Sequence, residues 1–333
     1  MPERATLTEL IQIGKETVYG TGVAATRKLA ALRIDLSPDG ESFNIEPSGY
    51  KVPTGTVQIR EFASGDIAGG SALTYNELPI IFNSLLVDET PTTTTGVSTW
   101  EWDWSPTTVH TVASYTVEQG DAATRAHEVT GGIFTGFNFT VTRGAAPTVG
   151  GTLMAGAFVD GITPTAALTA MTPIPVAPGQ IDIYADPAFA DVGTTKLLRV
   201  LEASFSIANM WGPLWALNST LTSFAAIMQT RPEITMTLTV AADSAGMAFL
   251  DANWRANTPV ALQIKATGEE ISGGTPATDH SLTIDMMGAV SGPPTFGDTD
   301  GVRTAQWSFT CVADGTIGKA LVVTLVNGVA ASP

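Results

Sequence analysis

The chain has 333 residues, of which 44% are hydrophobic and only 14% charged, and its 32 acidic against 16 basic side chains give a formal net charge of -16. That composition excludes a disordered chain and a charged helical bundle. It also argues against a surface that grips nucleic acid by neutralising phosphates, which needs clustered Lys and Arg.

The length exceeds that at which a single core usually stops growing, so two core-bearing units are expected. The single cysteine, Cys311, excludes an intrachain disulfide, and alternation in "QWSFTCVA" places it with Trp307 and Phe309 as a buried structural thiol. No stretch reaches the ~18 apolar residues that span a bilayer. "MPERATLTEL" lacks the apolar run of a signal peptide, so synthesis in a cytoplasm is expected.

The first segment with a pattern is "GKETVYGTGVAATRKL" (14–29), which has three glycines and three bases. Its glycines follow neither the order G-x-G-x-x-G nor G-x-x-x-x-G-K-[ST], so no phosphate loop is expected. Next come a strand in "TVQIREF" (56–62) and a helix in "TYNELPIIFNSLL" (74–86), with Pro79 near its first turn. "DETPTTTTG" (88–96) reads as an exposed loop, and strands follow in "STWEWDW" (98–104) and "FTGFNFTVT" (134–142). Residues 154–179 hold four prolines and no sustained period, which suits an extended connector.

Beyond it lie strands at 201–208 and 233–240 and a helix at 243–256, then strands at 260–266, 281–286 and 304–312. Asp243 or Ser244 is the expected N-cap of that helix, with Met247, Leu250 and Trp254 on one face. The order strand, helix, strands occurs in both halves and points to an internal duplication. The expected division is an N-terminal arm (1–32), a first β domain (33–160), a connector (161–196) and a second β domain (197–333).

Chemistry-bearing constellations are sparse. His110, His127 and His280 lack a second ligand at metal spacing, so no metal site is expected. "FGDTDGVRT" (296–304) begins like a calcium loop but lacks its later oxygen ligands, and Asp-Gly before a strand is a hairpin signal. Asn138 and Asn218 match the glycosylation pattern, without a secretory context to use it. In "WEWDW", alternation puts Trp100, Trp102 and Trp104 on one face and Glu101 and Asp103 on the other. The stripe reads as a core or subunit contact in preference to a sugar-binding platform. Glu101 and Asp103 lie side by side, unlike paired glycosidase carboxylates, and no nucleophile motif is present, so no enzyme is expected.

"IGKETVYGTGVAATRKLAAL" (13–32) resembles the N-terminal signature of tail tube proteins of long-tailed, non-contractile bacteriophages. "STWEWDWSPTTVHTVASYTVEQGD" (98–121), "RAHEVTGGIFTGFNFTVTRG" (125–144) and "GTTKLLRVLEASFSIANMWGPLWALN" (193–218) are similar to later parts of that family. The resemblance implies a mainly β chain with a few short helices: two tandem β-sandwich or barrel folds, each with a flanking helix. Such subunits assemble into rings that stack into the hollow tube conducting viral DNA, and a duplicated subunit implies trimeric, pseudo-hexameric rings.

The implied partners are further copies of the chain, the tape measure protein, the tail terminator and distal tail proteins. DNA is only in transit, no cofactor or membrane is involved, and the location is the virion tail, assembled in the host bacterial cytoplasm. On this reading Lys15, Tyr19, Gly20, Gly22, Arg27 and Lys28 belong to an arm meeting a neighbouring subunit, and Trp100, Trp102 and Trp104 to a subunit contact. Glu101, Asp103, Glu118 and Asp121 are the acidic lumen candidates, whose field would repel DNA phosphates. The alternative function is a carbohydrate-binding or adhesive β-sandwich module.

Overall fold

Alternating β-branched, aromatic and polar residues fold into twenty strands, with two α-helices and two single-turn 3-10 helices, among the described residues of the computed structural model. These are residues 9–121, 125–217, 223–242, 244–274, 276–315 and 317–330. The arm's first eight residues, Asn218, and the cap expected at Asp243 or in the Ser244 side chain lie outside them.

In the first half, β1 (Leu10–Lys15) and β2 (Arg27–Lys28) precede a long hairpin of β3 (Ile34–Ile45) and β4 (Gly55–Ile67). After α1 (Leu78–Leu85) come β5 (Thr92–Thr94), β6 (Val97–Trp104), β7 (Tyr115–Asp121), β8 (Arg125–Thr142), β9 (Thr148–Ala155) and β10 (Ala157–Asp160). In the second half, β11 (Ile181–Asp186), β12 (Val200–Ala208), β13 (Trp211–Leu214), β14 (Ala226–Gln229) and β15 (Glu233–Ala241) lead to α2 (Ser244–Ala256). The chain closes with β16 (Val260–Glu270), β17 (Asp279–Val290), β18 (Thr295–Thr299), β19 (Val302–Cys311) and β20 (Leu321–Asn327).

The ladders are antiparallel, and all but the separate pair β13–β14 form three connected runs. One reads β3-β4-β9-β8-β12-β15-β19-β18. A second reads β11-β16-β17-β20-β6-β5 and joins the first where Gly288–Val290 meets Phe309–Cys311. The third, β2-β1-β7-β8-β10, uses the N-terminal part of β8. β8 passes between runs at Gly131 and Gly132. Gly131 has φ +67°, and a Cβ on Gly132 would stand 2.8 Å from the Tyr115 carbonyl oxygen, so both positions favour glycine.

Strands from both sides of residues 161–196 pair with each other: β8 with β12, and β6 with β20. One large hydrophobic cluster runs from Ile13 to Leu325 and draws on both halves of the chain, beside a small satellite of Phe189, Ala261, Met287 and Val322, so the halves share their main core. Residues 161–196 are correspondingly no free connector. The Met171 N–H donates to Lys28, the Val176 N–H to Leu73, and β11 is a strand of the second run. For residues 9–32 the arm assignment is corrected likewise, because β1 is held between β2 and β7 and Ile13 is fully buried.

The helix expected at 74–86 is α1, with Pro79 in its first turn, where a missing N–H costs least. All eight residues are buried, and Phe82 lies 5.2 Å from the Trp102 ring and 5.3 Å from Phe137. It sits inside the core, whereas α2 lies outside with Leu250 buried and Met247 and Trp254 partly so. The Thr-rich segment expected as a loop forms β5, which turns into β6 through Thr95 (φ +42°) and Gly96 (φ +80°). The Asp-Gly reading holds: Asp300 (φ +54°) and Gly301 (φ +77°) make the two-residue turn between β18 and β19.

Candidate assembly interface

The segment 14–32 is attached to the body by three buried carboxylates. Glu16 Oε1 accepts from the Gly131 N–H at 2.8 Å and Thr116 Oγ1 at 3.0 Å, and its Oε2 from the Gly20 N–H and the Ser114 hydroxyl. Glu118 Oε1 accepts from the Ala25 N–H and Thr165 Oγ1, while its Oε2 takes the Thr165 N–H at 2.6 Å. Glu77 Oε1 accepts from Ala30 and Ala31, and its Oε2 from Leu32 and Thr74 Oγ1. N–H and O–H donors thus supply the contacts that a buried carboxylate requires.

The sequence-predicted contact residues divide accordingly. Lys15 pairs with Asp88 of its own chain at 2.5 Å. Tyr19 packs 6.4 Å from Phe224, and burial followed by the nearby Glu16 charge pushes its phenol pKa up. Gly20 (φ +72°) makes the turn that delivers its N–H to Glu16, and a Cβ on Gly22 would crowd the Thr130 methyl at 3.2 Å. Arg27 and Lys28 form β2 and make no ion pair among the described residues.

Trp100 and Trp102 are fully buried and stacked at 5.7 Å, and Trp104 is 8% exposed. The Trp100 indole N–H donates to Asn327 and that of Trp102 to Asn83. The stripe is core, so neither the subunit-contact assignment nor the sugar platform survives: the face is covered by its own chain. Of the lumen candidates, Glu118 is buried and committed to Thr165 and Ala25, which removes it. Asp103 lies 2.8 Å from Lys319, Glu101 is exposed, and Asp121 is half-buried at the end of β7.

No group of three potential metal ligands occurs among the described residues. His127 stacks on Phe158 and His280 on Tyr75. Burial pushes the Cys311 thiol up to about 12, and its Sγ donates to the Ala320 carbonyl, as fits a structural residue.

The surface that sequence reading missed is the outer half of the β3–β4 hairpin. Phe43, Ile45, Tyr50, Val52, Val57 and Ile59 are all exposed there, Val52 by 68%. Phe43 faces Val57 across the ladder, and directly opposed residues share a face. Glu41 pairs with Arg60 and Ser42 with Gln58, so Ile59 is an extra, bulged residue that re-aims the outer strand. At the base, Phe62 meets Trp215 at 5.9 Å, with the Arg60 guanidinium 5.1 Å above the Trp215 ring. The hairpin escaped notice because Pro38, Asp39 and Gly40 interrupt the alternation of "IDLSPDGESFNI". No family model and no curated protein matches the chain.

Proposed function

We propose that the chain is the structural subunit of a tail tube of the long-tailed, non-contractile phage type. Subunits close into trimeric, pseudo-hexameric rings, and rings stack into a hollow conduit for DNA. The observation that carries this reading is the β3–β4 hairpin. A two-stranded ribbon is marginally stable alone in water, and this one presents a run of exposed apolar residues that a neighbour would cover.

The edge strands β3 and β18 support the same reading, since each leaves one row of backbone groups for a neighbouring strand to complete. Head-to-tail contacts of this kind generate closed rings or open stacks. The charge of -16 suits a wall that DNA passes without adhering, with Glu101, Asp103 and Asp121 the remaining lumen candidates. In this role the chain performs no catalysis and needs no cofactor. Its partners are its own copies, the tape measure protein, the tail terminator and distal tail proteins in the virion tail, after assembly in the bacterial cytoplasm. The carbohydrate-binding alternative loses its platform with the burial of the Trp stripe.

Electron microscopy of the purified protein tests the reading. Threefold rings and stacked tubes are expected, and a protein that stays monomeric at high concentration would overturn it.

A further inference from the structure

On the inner face of β17, alternation makes one row of His280, Leu282, Ile284 and Met286, all of them buried. The row is apolar except at the start of the strand, where His280 is 3% exposed. Its ring stacks on Tyr75 at 5.6 Å, and Tyr75 is fully buried. Neither His280 Nδ1 nor the Tyr75 hydroxyl has a hydrogen-bond partner among the described residues. A neutral imidazole can occupy such a place, whereas an imidazolium would bring an unpaired charge and two N–H donors into the core.

The neighbouring strand leaves the ring a way out. Thr267 of β16 pairs with Ser281 and Glu270 with Asp279, so Gly268 and Glu269 bulge opposite the single residue His280. A Cβ on Gly268 would stand 2.9 Å from Tyr75 Cε2 and 3.3 Å from His280 Cβ, so glycine admits the stacked pair. Glu269, Glu270 and Asp279 are exposed around the bulge, and Lys265, the nearest base on β16, lies opposite Thr283. β20 has no titratable side chain, and Glu77, two residues beyond Tyr75, is turned to the N–H groups of Ala30, Ala31 and Leu32. Burial pushes the His280 pKa down from its ordinary value near 6.5, against the pull of the Glu269 and Asp279 charges. Core and carboxylates thus favour opposite protonation states of one ring. Tyr75 in turn donates its N–H to Ile174 and accepts from Asn327 Nδ2, and just beyond the bulge the Ile271 N–H donates to Thr278.

We propose that His280 is a proton-operated latch on this end of the second run. Neutral, it stays stacked on Tyr75 and holds β16 and β17 against the segment before α1. Protonated, it leaves the core beside the Gly268–Glu269 bulge to meet Glu269 or Asp279, and the Ile271–Thr278 contact opens with it. His280 is the second residue of β17, and strand ends open at lower cost than strand centres. The closed form is therefore fully held above the ordinary histidine value and weakens as pH falls below it, because the open form binds the proton more tightly. Opening rises ~tenfold per pH unit until the closed form itself titrates. The latch lies within one subunit and operates whether or not copies assemble.

Amide hydrogen exchange of the full-length chain, read by mass spectrometry from about pH 7.5 to about pH 5 and corrected for intrinsic rates, tests the latch. Peptides covering Tyr75 and Gly268 to Ile271 are expected to exchange ~tenfold faster per pH unit below the ordinary histidine value, while those of β19 do not. His280→Phe keeps a ring on Tyr75 without a proton to bind, and is expected to abolish that dependence. Glu269→Gln with Asp279→Asn is expected to move its onset to lower pH, and His127→Gln to leave it unchanged. Exchange at the C2 carbon of His280 in the wild type is expected to give a midpoint below the ordinary value, a readout that does not depend on any variant folding. The latch would be overturned by a pH dependence that survives His280→Phe or disappears with His127→Gln. A His280 midpoint at or above the ordinary value, with the same peptides staying protected through it, would overturn it as well.

Discussion

The Trp102 indole N–H donates to the Asn83 side-chain oxygen at 2.7 Å, joining the centre of β6 to the buried helix α1. The same oxygen accepts the Glu89 N–H, and Asn83 Nδ2 donates to the Glu89 carbonyl. One amide therefore connects helix, strand and the loop after the helix. Asn83→Ala leaves the Trp102 N–H without its partner in the core and frees the half-buried Glu89 groups, at about 1–3 kcal/mol for a buried group left unsatisfied. The expected total is about 3 kcal/mol, read as a lower midpoint in urea unfolding, with altered near-ultraviolet dichroism from the Trp pair.

Glu77 holds the backbone N–H groups of Ala30, Ala31 and Leu32. In Glu77→Gln, one oxygen becomes an NH2 group that confronts N–H donors, so at least one contact turns repulsive. The expected result is a loss of about 2 kcal/mol, with faster hydrogen exchange at Ala30 to Leu32 than at β16. Unchanged exchange at those amides would remove the carboxylate from its attaching role.

Two aspartates give opposite pH signatures. Burial would raise the pKa of Asp186, but hydrogen bonds from Thr195 and Thr194 outweigh it and hold the group below its ordinary value near 3.8. Its stabilisation is therefore present above that value and lost as pH falls through the lower folded value. Asp186→Asn should be destabilised at pH 7, and the difference from wild type should narrow in acid.

Asp285 is pushed up by burial, against the Gln263 hydrogen bond and the Lys265 and Lys319 charges. Folding favours its protonated form, so stability falls as pH rises from the ordinary value through the raised one. Asp285→Asn keeps an oxygen for Gln263 and should stabilise the protein at pH 7 while changing little in acid. Thermal melts across pH 3 to 7 check both signs.

Phe43→Ser with Val57→Thr removes apolar surface that supports nothing in the subunit. The melting temperature is expected to move by no more than an exposed substitution does, within about 0.5 kcal/mol, while tube formation is lost. Deletion of residues 1–28 is a poorer probe of assembly, because it removes β1 and uncovers the β7 edge. Loss of tubes in that variant would report a damaged fold.

Periodicity made the strands at 201–208, 233–240 and 304–312 and the helix α2 legible, because each pattern belongs to one element and requires no partner. The Asp300-Gly301 turn was legible for the same reason. The interface was not: residues at the hairpin tip are ordinary strand formers, and their exposure follows from β4 outrunning its neighbour β9 beyond Ala63.

By itself, the sequence determined that the chain is mainly β, that its charge disfavours adhesion to nucleic acid, and that Trp100, Trp102 and Trp104 share a face. Tertiary structure alone decided what covers that face. β6 pairs with β20, and Trp100 meets Asn327 across 227 positions of chain. Alternation specifies which side chains point together, but a partner so distant in sequence is chosen by the packing of the whole sheet. The segment around Gly20 was settled in the same way, when Glu16, Glu77 and Glu118 gathered its backbone N–H groups from separate elements and made an apparent arm part of the body.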